Sequence, residues 1–204
     1  MKIRSVSSIF WLLGAAVLVL AFFRCLHPAP KKPLPVLGQA GAFELTEKSG
    51  AKVRLEDLAG KVWIADFVFT RCAGICPLMS GHMKKLQEQL KDAEGMRFVS
   101  FSVDPDYDTP EKLSEYAARF KADPSKWLFL TGSKEIIFRL SQQHFHLGVS
   151  DVPEADRPAP DQGVTHSSRF VLVDKRGGIR GYYDSAQPET LKNLAADARG
   201  LLKE

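Results

Sequence analysis

"KVWIADFVFTRCAGICPLMSGHM", residues 61–83, is the stretch on which the fold turns. Its first nine residues are nearly all apolar, with aromatic and β-branched side chains and no helical spacing. A strand buried on both faces reads this way. From Pro77 onward the pattern changes. Leu78, Met79, His82, Met83, Leu86 and Leu90 fall at helical intervals as far as Lys91, and Pro77 suits the first turn of a helix. Between strand and helix stand Cys72 and Cys76, separated by three residues. In an open α/β sheet, sites form at the carboxyl ends of strands, and the two cysteines occupy such a place.

Outward from this junction the chain alternates. "FELTEKSGAKVRL", residues 43–55, reads as a hairpin around Lys48-Ser49-Gly50. "RFVSFSV", residues 97–103, is a second central strand. "DTPEKLSEYAARF", residues 108–120, opens a helix with Thr109 as cap, Pro110 at its first position and Glu111 in its first turn. "WLFLTG", residues 127–132, is a short strand, and "SKEIIFRLSQQHF", residues 133–145, a helix capped by Ser133. Residues 149–164 form a long Pro/Asp-rich loop. Two strands, 168–174 and 179–184, are joined by a Gly177-Gly178 turn, and a last helix runs from about Pro188 to Leu202. This order predicts an α/β domain with a mostly parallel sheet covered on both faces. A closing antiparallel hairpin and helix match a thioredoxin-like fold, here extended by the N-terminal β-hairpin.

The chain has 204 residues, 45% of them apolar and 25% charged, which suits one globular domain with extras. Its net charge of +4 is uneven. Lys2, Arg4, Arg24, Lys31 and Lys32 put five cations and no acid in the first 33 residues, so the rest carries −1 (four minus five). A nucleic-acid binder would keep its basic residues on the folded domain, so that class is excluded.

Residues 1–5 are a short tail, and residues 6–23 an apolar run interrupted only by Ser7, Ser8 and Gly14. As a helix the run spans roughly 27 Å, near the thickness of a bilayer core. No small-x-small cleavage site follows it, and Arg24 before Cys25 does not fit a lipoprotein site, so an uncleaved transmembrane anchor is expected. Residues 24–35 carry Pro28, Pro30, Pro33 and Pro35, an extended spacer that would hold the domain of residues 36–204 off the membrane.

Three cysteines are too few for a disulfide framework, and Cys25 stands apart from the pair. A helix N-terminus favours thiolate, and a spacing of four residues puts two thiols on one side of a helical segment. Such a pair can close a disulfide or hold a soft metal, Cu(I) or Zn(II). A metal needs a third donor. Of the five histidines, His27 lies in the spacer, while His82, His144 and His146 read as structural residues of helices. His166, in "GVTHSSRF", precedes a strand at the position that faces the dithiol in a thioredoxin fold, where a proline usually stands. Met79 and Met83 read as core filler rather than thioether ligands. Asp104 and Asp108 read as residues that shape a loop and start a helix.

"FVFTRCAGICP", "FSVDPDYDTPEKLSEYAARF", "WLFLTG" and "THSSRFVLVDKRG" together resemble the Sco (SenC) family of copper chaperones, from about Val36 to Leu202. The resemblance implies a thioredoxin-like domain in the periplasm, or in the intermembrane space of mitochondria, tethered to the inner membrane. It implies copper, Cu(I) or also Cu(II), held by Cys72, Cys76 and His166. The implied partners are the copper-bearing subunit of cytochrome c oxidase, whose dinuclear copper centre the family helps assemble, and a copper donor or thiol reductant. Catalysis is not required of such a protein. Family members often have Asp directly before the histidine. Here Thr165 stands there, which leaves Asp161 as the candidate acidic partner. The alternative is a thiol–disulfide oxidoreductase using Cys72 and Cys76. A peroxidase on the same fold lacks its expected Thr/Pro-rich loop before the cysteine.

Overall fold

The computed structural model describes residues 33–153 and 164–204. The expected anchor and most of the spacer, with Cys25 and His27, lie outside the described residues, as does Asp161. Among the described residues no helix is long and apolar enough to cross a membrane. In chain order the strands are β1 (Gly38–Gln39), β2 (Glu44–Glu47), β3 (Lys52–Arg54), β4 (Val62–Val68), β5 (Met96–Ser102), β6 (Trp127–Thr131), β7 (Val149–Asp151), β8 (Val164–His166), β9 (Arg169–Val173) and β10 (Gly178–Asp184). The helices are α1 (Ile75–Gln89), α2 (Pro110–Arg119), α3 (Lys134–Arg139) and α4 (Pro188–Leu202).

Eight strands form one sheet in the order β1-β10-β9-β4-β5-β6-β2-β3. β4 lies at its centre and is buried at every position, as its sequence requires. The expectation of a mostly parallel sheet is corrected. Only β4–β5 and β5–β6 are parallel, while the flanks pair antiparallel. Parallel neighbours need a crossover, and helices connect β4 to β5 and β5 to β6. The hairpins at both ends, β2–β3 and β9–β10, turn directly. Gly177, at φ 78°, supplies the left-handed residue of the β9–β10 turn.

Alternation along β4 divides the core in two. Trp63, Ala65 and Phe67 pack with Phe43, Phe101 and Phe145 on one face. Val62 and Ile64 pack on the other with Met79, Met83 and Leu86 of α1, Tyr116 of α2 and Leu194 of α4. Both methionines are fully buried, which bears out the core reading.

α2 starts as expected, with Pro110 at its head and Thr109 Oγ1 accepting from Lys112 N–H at 3.4 Å. The helix predicted over 133–145 differs. α3 has six residues, then widens into a π turn over Leu140–His144, and Ser133 at its start makes no side-chain cap bond. β7 and β8, at the two ends of the stretch expected to be loop, pair into a separate two-stranded ribbon, with β8 running past that stretch to His166. Neither strand has a periodic pattern long enough to mark it in the sequence.

Candidate metal centre

The chain leaves β4 at Val68 and reaches Cys72 in a turn closed by Cys72 N–H donating to Phe69 O at 3.3 Å. α1 then begins at Ile75 after Gly74, two residues ahead of Pro77. Cys76 is thereby the second residue of the helix, and Pro77 the third, where an N–H would lack an intrahelical partner anyway. Cys72 is half-buried and Cys76 fully buried, and both are free thiols.

His166 ends β8, on the ribbon, where its register partner is Val149. The ribbon brings the imidazole to the cysteines. Nε2 lies 3.0 Å from Cys76 Sγ, and the ligand atoms of Cys72, Cys76 and His166 all fall within 4.8 Å of one another. Among the described residues this is the one cluster of three such groups. Phe69 packs edge-on against the ring, with centroids 5.6 Å apart. His166 Nδ1 donates to Ser167 O at 3.0 Å, which leaves the Nε2 lone pair facing the thiols. A backbone carbonyl therefore orients the imidazole from behind. Thr165 Oγ1 instead pairs with Ser150 Oγ at 2.8 Å, within the ribbon.

The two thiols titrate as a pair. The hydrogen bond with Cys76 holds Cys72 far below the ordinary thiol range, against the opposing effect of burial, and the Gly74 N–H adds to the lowering. The same bond, together with burial, pushes Cys76 up. The two thiols thus share a proton as a coupled pair, with thiolate character favoured on the more exposed Cys72. The arrangement can accept a soft cation in exchange for that proton, or close a disulfide.

The other described histidines stay out of the cluster. His82 Nδ1 donates to Ser185 O at 2.9 Å, tying α1 to the turn after β10. His144 packs on Gly41, and His146 adopts a positive φ of 50° at the end of the π turn. Sequence reading missed Asp66. This carboxyl is fully buried in β4, and neither oxygen meets a partner in hydrogen-bonding geometry. Burial pushes it up to about 7, and Ser100 across the ladder and the His166 imidazole pull it back only in part. The signal was visible as the single acid in "KVWIADFVF".

Comparison with known proteins follows the same lines. The profile of the SCO1/SenC family matches residues 35–203. The chain is 34% identical over 190 residues to the SCO1 protein homolog of Bacillus subtilis, covering 92% of this chain and 94% of that protein. Among solved structures, it is similar to BsSco, described as a Sco-family cytochrome c oxidase assembly protein with a disulfide switch. The TM-score is 0.71 at 34% identity, over 85% of this chain and 98% of that one. It is also similar to copper-bound ScoI of Bradyrhizobium japonicum, with a TM-score of 0.67 at 26% identity, over 80% and 99% of the two chains. With the thioredoxin-like fold and a family match across residues 35–203, this chain belongs to the SCO1/SenC family.

Proposed function

We propose that this protein is a membrane-anchored copper-binding chaperone that delivers copper to, or prepares, the dinuclear copper centre of cytochrome c oxidase. The observation that carries the reading is the convergence of Cys72, Cys76 and His166 within 4.8 Å. Two sulfurs and one imidazole nitrogen suit Cu(I) in a trigonal site. Thiolate character is favoured on Cys72, and both thiols bind a metal as thiolates, so loading displaces the proton that the pair shares. His166 already presents a lone pair, so its ring need not change tautomer. Cys72, the more exposed sulfur, is the ligand that an incoming thiol or oxidase ligand meets first. The copper-bound relative supports the metal, and the described role of BsSco supports the oxidase.

In this reading residues 6–23 span the inner membrane, residues 24–35 are a spacer, and the domain faces the periplasm or intermembrane space. Its partners are the copper-bearing oxidase subunit and a copper donor or thiol reductant. A second reading, thiol–disulfide exchange by Cys72 and Cys76, is favoured by their shared proton and by the disulfide switch described for BsSco.

An anaerobic Cu(I) titration of the full-length chain, with X-ray absorption to count donors, tests both. One copper with two sulfurs and one nitrogen is expected, and Cys72→Ser, Cys76→Ser and His166→Ala should each weaken binding. If His166→Ala binds as tightly as wild type while Cys72→Ser abolishes exchange with a model disulfide, the oxidoreductase reading replaces the chaperone.

A further inference from the structure

Two of the three cluster residues stand on regular structure, Cys76 on α1 and His166 on β8. Cys72 stands on neither. Its place depends on the short run from Phe69 to Arg71, and that run is gripped from the side. Every polar group of Thr70 is engaged. Its N–H donates to Asp108 Oδ2 at 3.0 Å and its hydroxyl to Asp108 Oδ1 at 2.5 Å, while its carbonyl accepts from Arg119 at 3.4 Å. Arg71 Nε donates to Asp104 Oδ2 at 2.6 Å, and its guanidinium lies 4.7 Å from the centre of the Tyr107 ring. Ser102, the last residue of β5, donates to Asp108 Oδ2 at 2.6 Å and accepts from Asp104 N–H at 3.2 Å.

Shaping the 104–108 turn and starting α2 do not require this arrangement. The turn is closed by Asp108 N–H donating to Asp104 O at 2.9 Å, and the helix is capped by Thr109. The Asp108 carboxylate does neither. It is fully buried and accepts three bonds, two of them from the loop that follows the neighbouring parallel strand. A buried carboxylate is an acceptor only, so it dictates where those donors point.

We propose that Asp108 is a positioning residue for the metal centre: through Thr70 it fixes the backbone that presents Cys72 to Cys76 and His166. The proposal rests on the copper reading above. In a metal site, partners one step behind the ligands set affinity through ligand geometry.

The test uses the full-length chain, an anaerobic Cu(I) titration against a colorimetric Cu(I) chelator, and X-ray absorption to count sulfurs. Asp108→Ala is expected to weaken Cu(I) binding about 10- to 100-fold and to replace one of the two sulfurs by a lighter donor. Asp108→Asn is expected to restore both. Its carbonyl can accept from Thr70 N–H and Ser102, while its amide donates to the Thr70 hydroxyl. Thr70→Val removes only the hydroxyl bond and should shift both readouts the same way, more weakly, even if Asp108→Ala does not fold. Wild-type affinity with two sulfurs in Asp108→Ala or Thr70→Val, whatever the melting point, overturns the proposal. So does an Asp108→Asn variant as impaired as Asp108→Ala. A wild-type chain that binds no Cu(I) overturns the copper reading instead.

Discussion

At the scale of single residues, the site is defined by unequal environments. The thiols differ by four positions in sequence, yet the hydrogen bond between them lowers Cys72 and, together with deeper burial, raises Cys76. Asp66 is the residue whose environment conflicts most with its chemistry. Its folded-state value near 7 lies above the ordinary 3.8, so the folded chain holds its proton where the unfolded chain has released it. Stability from this group is intact below about pH 4, falls as pH rises, and levels above about pH 7 at a cost of about 4 kcal/mol. Asp66→Asn cannot ionise. Measured by urea denaturation, its stability relative to wild type should climb between pH 4 and pH 7. Parallel curves for the two proteins would refute the assignment.

At the scale of elements, the local signals were strong where a pattern ran for several residues. β4, α1, α2, the Gly177 turn and the closing hairpin were all legible from periodicity and caps. The π turn and the β7–β8 ribbon were not. The ribbon strands have three residues each, and what makes them strands is the partner across the ribbon. The π turn is held in part by the segment before β2. A methyl group at Gly41 would overlap the ring of His144, so that glycine is set by a neighbour a hundred residues away rather than by its own backbone. Gly41→Ala should therefore destabilise the fold by about 1–3 kcal/mol, the cost of overpacking. In the double variant Gly41→Ala/His144→Ala that loss should shrink. A thermal melt in which the two substitutions add independently would show that the contact carries no energy, and that the reading of His144 as a packing residue is mistaken.

At the scale of the molecule, a metal held by Cys72, Cys76 and His166 would couple three parts of the fold: α1, the turn after β4 and the ribbon. Binding to the folded state alone stabilises by about 2.7 kcal/mol at a hundred times the dissociation constant. Anaerobic calorimetry should show the melting point rising with Cu(I), and rising less for His166→Ala at the same copper concentration. Equal gains in both proteins would mean that the ribbon histidine takes no part. The sequence by itself determined the strand-to-helix junction that holds both cysteines, the thioredoxin-like order of elements and the singling out of His166 as the candidate third donor. These depend on local periodicity and on motifs read as whole words. Tertiary structure decided the rest. It brought Nε2 of His166 within 3.0 Å of a sulfur ninety residues earlier, turned that nitrogen inward through Ser167 O, buried Asp66, and aimed Asp108 at the Cys72 loop. Each of these depends on which strands lie side by side and which face of a strand is covered, and no local pattern encodes that.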